Sequence, residues 1–168
     1  MKDKTYLYFI HGLDPFDIAD MAGLERHFRQ LGYSHTKLVQ FYHGEDVVDD
    51  ILLAKATCPE ARIMILGFSA GTLTTSGVVN TLHDKHQINV DLVVYTAGIA
   101  LMDNESTRPS YVGKIIHILD GGLVLPGVEL TGADNYRFED VWHFGTPNHE
   151  NTLALVEAEL NKEIPARP

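Results

Sequence analysis

An apolar run leads directly into a serine bounded by glycines in the segment Arg62-Ile63-Met64-Ile65-Leu66-Gly67-Phe68-Ser69-Ala70-Gly71. Residues 62–66 predict a short strand that is buried on both faces. Residues 67–71 match G-x-S-x-G, in which a tight turn between strand and helix lifts the serine hydroxyl out of the sheet. Glycine on either side keeps Cβ atoms from clashing with the neighbouring backbone. The segment therefore predicts a strand–turn–helix unit that presents Ser69 as a nucleophile.

Strands and helices alternate along the rest of the chain. Apolar residues at steps of three and four predict helices around residues 18–31, 47–52 and 153–160, and another helix runs from the serine turn to about residue 82. Such alternation implies right-handed crossovers and a mostly parallel sheet with helices on both faces, a doubly wound α/β domain. The predicted strands are residues 6–10, 37–41, 62–66, 91–96, 114–119 and 137–144.

Length and composition predict one globular domain over residues 1–168. Hydrophobic residues make up 45% of the 168 and charged residues 21%, which is ordinary globular usage. The single cysteine, Cys58, excludes an intrachain disulfide and a site of several thiolates. The net charge of −10 argues against nucleic acid or an anionic membrane as partner. With no apolar run long enough to span a bilayer and no signal-peptide core, we expect a cytoplasmic protein without membrane insertion.

A second feature of the predicted site is His11-Gly12-Leu13, at the end of the first strand. Acyl transfer needs two preorganised N–H donors aimed at the developing oxyanion. One donor would be the N–H of Ala70, directly after the nucleophile. The other would come from the loop after the first strand, and Leu13 is the candidate.

Together these residues make the chain resemble the α/β-hydrolase superfamily, most closely its small bacterial lipases and esterases that lack a lid domain. The resemblance covers nearly the whole chain. It implies a minimal fold with six strands in the order 2-1-3-4-5-6. The site would then lie between strands 1 and 3, where the strand order reverses.

The order of residues in the family, nucleophile then acid then base, implies the remaining catalytic residues. Asp120 ends the fifth strand and would orient the base, with Asp103, Asp134 and Asp140 as alternatives. His149 would be the base, because it falls in the loop before the last helix. His143 is its rival, but Val141-Trp142-His143-Phe144 resembles a strand.

The predicted function is cleavage of a small-molecule carboxylic ester through an acyl-enzyme, with no metal or cofactor. A thioesterase or amidase using the same residues, and a binding protein without catalysis, are the alternatives. Residues 98–113 are too few for a lid domain, and their composition predicts a polar surface loop. Candidates to line an acyl pocket are Phe68, Leu101, Met102, Leu123 and Val124.

Overall fold

The computed structural model describes residues 2–122 and 127–162. Six parallel strands form one sheet in the order β2-β1-β3-β4-β5-β6, which confirms the predicted fold and strand order. The central strands are almost entirely buried, because helices or loops cover both of their faces. The strands are β1 Thr5–His11, β2 His35–Gln40, β3 Arg62–Phe68, β4 Leu92–Thr96, β5 Lys114–Asp120 and β6 Asp134–Phe138.

Among the described residues, four α-helices pack on the sheet, two on each face. Helices α1 and α4 contribute to one apolar cluster with the sheet, and α2 and α3 contribute to a second cluster on the other side. No helix in the two described ranges is long and apolar enough to cross a membrane. The helices are α1 Met21–Gln30, α2 Gly44–Thr57, α3 Ala70–His86 and α4 Glu150–Leu160.

The last strand is shorter than predicted. β6 ends at Phe138, and the expected continuation through Phe144 is wrong. Val141 follows a turn in which its N–H bonds to the Phe138 carbonyl, and a single-turn 3-10 helix covers His143–Gly145. Val141 is nevertheless buried, so its apolar character reflects packing in a turn. A run of four residues is too short for its hydrophobic pattern to separate these cases.

The strand order reverses between β1 and β3, because β2 lies on the outer side of β1. The carboxyl ends of these strands are His11 and Phe68, which precede Gly12 and Ser69. Parallel α/β sheets bind ligands at such a switch point. The fold therefore places the two sequence motifs side by side at the edge where a ligand site is expected.

Candidate active site

Ser69 occupies a strained turn between β3 and α3. Its backbone has φ 51° and ψ −119°, a region that residues with a side chain rarely adopt. The glycines on either side leave no room for a side chain. A Cβ on Gly67 would overlap Thr75 Oγ1, and one on Gly71 would overlap the carbonyl oxygens of Ile10 and His11. This close packing of β3, α3 and β1 holds the serine at the edge of the sheet.

The Ser69 hydroxyl is hydrogen-bonded to His143, with 3.0 Å between Oγ and Nε2. His143 begins the 3-10 helix after β6, and its side chain is 11% exposed. Its ring packs against Phe68 and Phe144, at centroid distances of 5.3 and 5.1 Å. The aromatic neighbours thus hold the imidazole beside the serine.

Asp120, at the end of β5, lies on the other side of the His143 ring. Its Oδ2 is 3.4 Å from His143 Nδ1, and the residue is 2% exposed. Neither of these two buried atoms has a hydrogen-bond partner among the described residues, so they face each other alone. The other oxygen, Oδ1, accepts the Gly122 N–H at 2.9 Å, which fixes the orientation of the carboxylate.

A backbone hydrogen bond ties the carboxylate and the imidazole together. The Gly121 N–H donates to the Val141 carbonyl at 3.0 Å. Gly121 follows Asp120, and Val141 precedes His143 by two residues. A Cβ on Gly121 would overlap the Glu139 backbone, so the two segments are in close contact. The loop after β6 is therefore fastened to the strand that carries Asp120.

His149 was expected beside Ser69, but the imidazole that the structure places beside the Ser69 hydroxyl is that of His143. His149 is the N-cap of α4, where its Nδ1 accepts the Asn151 N–H at 3.3 Å. Its ring packs against Phe138 at 4.9 Å. The observed role of His149 is therefore to cap the N-terminus of α4.

The alternative acids lie in other surroundings. Asp103 pairs with Arg108 and accepts hydrogen bonds from Thr131. Asp134 begins β6, at the opposite end of the sheet, and pairs with Lys114 at 2.8 Å. Asp140 is exposed. Of the four candidates, Asp120 is the one beside His143.

Leu13 and Ala70, whose N–H groups are the predicted oxyanion donors, flank the contact between the loop after β1 and the Ser69 turn. Gly12 approaches the turn so closely that a Cβ there would lie 2.8 Å from Ser69 Cβ. Leu13 follows Gly12, and Ala70 is the first residue of α3. Neither the Leu13 nor the Ala70 N–H donates a hydrogen bond to any residue of the described chain. They remain the predicted oxyanion donors.

The loop after β1 is held by His11, Asp14 and Asp17, whose donor atoms lie within 4.8 Å of one another. His11 Nε2 is 2.8 Å from Asp17 Oδ1, and Asp17 also accepts the Met21 N–H at 2.7 Å. Such a set of side chains can hold a metal ion. However, a metal on Nε2 would require a proton on Nδ1, which is buried without a partner among the described residues. The contacts fit a brace for the Leu13 loop better than a metal site.

The predicted pocket residues fall into three groups. Phe68 and Leu101 are buried in the two apolar clusters, where both contribute to core packing. Met102 is 70% exposed and is free to contact a ligand. Leu123 and Val124 lie outside the described residues.

The fold and the site geometry can be stated together. In a six-stranded parallel α/β domain, a hydroxyl is paired with an imidazole that faces a carboxylate, at a strained turn after a central strand. Solved structures agree with this fold. No family model matches the sequence, and no curated protein matches it either.

Three similar structures are low in sequence identity but extend over most of both chains. RedJ, with a PEG molecule bound in its active site, has TM-score 0.61 and 10% identity, over 94% of this chain and 94% of its own. A hydrolase of the alpha/beta superfamily from Xanthomonas campestris has TM-score 0.57 and 13% identity, over 92% and 95%. A CIB-like hydrolase from Thermoplasma acidophilum has TM-score 0.56 and 14% identity, over 92% and 86%. The chain thus has the α/β-hydrolase fold.

Proposed function

We propose that this chain is a serine hydrolase that cleaves small-molecule carboxylic esters through an acyl-enzyme. The observation that carries the proposal is the 3.0 Å contact between Ser69 Oγ and His143 Nε2 at a strained strand–helix turn. A buried carboxylate on the far side of the same imidazole supports it. A protein that only binds a ligand would not require a serine, a histidine and an aspartate in successive contact.

The first half of the proposed reaction transfers the acyl group to the protein. Ser69 Oγ attacks the ester carbonyl carbon while His143 Nε2 takes the hydroxyl proton. The carbonyl oxygen becomes an oxyanion that accepts hydrogen bonds from the Leu13 and Ala70 N–H groups. When the intermediate collapses, the bond to the alkoxy oxygen breaks and His143 returns its proton to the departing alcohol.

The second half releases the acid. Water attacks the acyl carbon while His143 Nε2 takes one of its protons, and collapse of the second intermediate restores the Ser69 hydroxyl. Asp120 keeps Nδ1 protonated, so that Nε2 is free to accept a proton, and it stabilises the imidazolium. The 3.4 Å separation is long for a hydrogen bond, and such contacts often tighten when substrate binds.

A fluorophosphonate probe tests the proposal directly, because it phosphonylates only an activated serine. We expect the native protein and a Ser110→Ala control, which alters an exposed serine in the loop after β4, to be labelled. Ser69→Ala should be unlabelled and inactive on p-nitrophenyl esters. Labelling of Ser69→Ala, or ester hydrolysis that survives in it, would overturn the proposal. A thioester and an anilide in the same assay identify the preferred bond.

A further inference from the structure

The loops around Ser69 carry a strongly one-sided charge. Three loops connect the carboxyl end of a strand to the next helix over several residues, namely 12–20, 41–43 and 139–149. They contain no lysine or arginine. Their carboxylates are Asp14, Asp17, Asp20, Glu139 and Asp140.

Basic residues are concentrated at the opposite edge of the sheet. Lys2 and Lys4 precede β1, and Lys114 begins β5. Lys55 and Lys85 lie in the last turns of α2 and α3, which run away from the carboxyl edge. The three loops near Ser69 therefore carry carboxylates without lysine or arginine, whereas the opposite edge carries both signs of charge.

Two arginines lie nearer to Ser69, and only one of them is paired with a carboxylate among the described residues. Arg108 pairs with Asp103. Arg137 donates to the carbonyl oxygen of Asp120 at 3.0 Å. Glu139 and Asp140 are exposed and have no ion-pair partner in the part of the chain that the structure describes. Two residues separate Asp140 from His143, and three separate Glu139 from it.

Large apolar side chains are exposed in the same loops. Leu13, which follows the glycine packed against Ser69, is 73% exposed, and Trp142, which precedes His143, is 59% exposed. Trp142 also comes directly after Asp140 and Val141. An exposed indole face near carboxylates is a favourable environment for an organic cation, which gains both cation–π and ionic attraction.

Resting on the proposed ester hydrolysis, we propose that the site selects substrates that combine a positive charge with an apolar portion. Trp142, Glu139 and Asp140 attract the charge, and Leu13 and Met102 contact the apolar part. The same surface disfavours anionic substrates, including thioesters of phosphate-bearing carriers, because the three loops contain no lysine or arginine to receive a phosphate. Electrostatic attraction of this kind raises the rate of substrate association and the affinity for substrate, and it weakens as salt screens the charges.

Isosteric substrates test this inference on the acyl side. We would compare the p-nitrophenyl ester of γ-trimethylammoniobutyric acid with its neutral tert-butyl analogue and with p-nitrophenyl hemiglutarate, subtracting spontaneous hydrolysis. At low ionic strength kcat/KM should follow the order cation, neutral, anion, with steps of about threefold or more that shrink toward one in ~1 M salt. Butyrylcholine and dimethylbutyl butyrate make the same comparison for the alcohol side.

Matched variants locate the effect. Asp140→Asn and Trp142→Leu should each lower the cation-to-neutral ratio. Asp84→Asn removes the same charge near the far end of α3, on the order of 20 Å from Ser69 by helix rise, and should leave the ratio unchanged. A ratio of one or less on both the acyl and alcohol sides, with Ser69-dependent hydrolysis of the neutral ester, would overturn this inference alone. If Ser69-dependent hydrolysis of every ester is absent, the proposed function fails and this inference fails with it.

Discussion

Ser69 Oγ and His143 Nε2 are 3.0 Å apart, although the two residues are 74 positions apart in the sequence. Ser69 follows the strand at the centre of the sheet, and His143 reaches it from beyond the edge strand β6. Two packed rings, Phe68 and Phe144, fix the imidazole in place over this distance. The loop after β6 thus completes the candidate site.

Replacement of the two histidines of this loop should separate their roles. His143→Ala should lower kcat by roughly 10⁴–10⁶-fold, because no other described histidine contacts Ser69 Oγ. His149→Ala should retain most activity and lose about 1 kcal/mol of stability with its helix cap. Steady-state hydrolysis of p-nitrophenyl butyrate and urea unfolding measure the two effects. Full activity in His143→Ala would contradict the proposed mechanism.

Asp120→Asn should reduce kcat by roughly 10³–10⁴-fold with a folded protein, because an amide nitrogen facing Nδ1 favours the wrong imidazole tautomer. Asp103→Asn is the control, since Asp103 lies in the loop after β4 and pairs with Arg108. It should change kcat little. Equal losses in both variants would mean that Asp120 does not act as the orienting acid.

Two glycines of α3 should respond oppositely to alanine. Gly71→Ala should cost about 1–3 kcal/mol or more and reduce activity, because the new methyl group overlaps the Ile10 and His11 carbonyls. A Cβ at Gly77 would meet no atom within 4 Å, so Gly77→Ala should stabilise α3 by up to about 1 kcal/mol. Thermal unfolding of both variants checks the signs. A stable, active Gly71→Ala would show that β1 can move away from the turn.

Acid should destabilise the fold through His117, a fully buried residue of β5. Burial lowers the pKa of His117 to about 4 from 6.5. Between pH 6.5 and about pH 4, His117 is protonated in the unfolded chain but remains neutral in the folded protein. The His117 contribution to the free energy of unfolding should therefore fall by about 3 kcal/mol across this window.

His117→Leu removes this titration and isolates it from the carboxylates. The stability of the variant, relative to that of the native protein, should therefore increase by about 3 kcal/mol as the pH falls from 7.5 to 4. Urea titrations at several pH values give the comparison. Parallel pH profiles for the two proteins would show that His117 finds a partner for its proton.

Ester hydrolysis should show no interfacial activation. The described segment between β4 and β5, residues 97–113, is fastened to α3. Ser76 Oγ donates to the Ser106 carbonyl at 2.6 Å, and the Tyr111 hydroxyl donates to Asn80. Hydrolysis rates measured across the solubility limit of an ester should rise smoothly to saturation. A sharp increase when aggregates form would reveal a segment that does act as a lid.

The sequence predicts the central turn well because most of its geometry is local. A Cβ on Gly67 would overlap Thr75 of the next helix, whereas one on Gly71 would overlap β1, which is distant in the sequence. The periodicity around the turn identifies the parallel sheet. The position of Asp120 follows from the same strand periodicity.

The sequence does not distinguish His143 from His149, because the choice depends on where β6 ends. Val141 and Phe144 have the apolar character of a strand but pack as part of a turn and a 3-10 helix. The sequence does contain one indication of the role of His149. This residue stands directly before Glu150 and the apolar stripe of α4, a position that suits a helix N-cap. His143 could reach Ser69 only if β6 ended before residue 143, as it does. The burial of Phe68 and Leu101 is likewise a tertiary outcome that hydrophobicity alone leaves open.

The Gly121–Val141 hydrogen bond links the strand that carries Asp120 directly to the loop that carries His143. The residues between Gly145 and α4 hold the same loop from its other side, because Thr146 Oγ1 donates to the His143 carbonyl at 3.0 Å. Lineages of this chain should therefore tolerate few insertions in that segment, since each insertion would displace the imidazole.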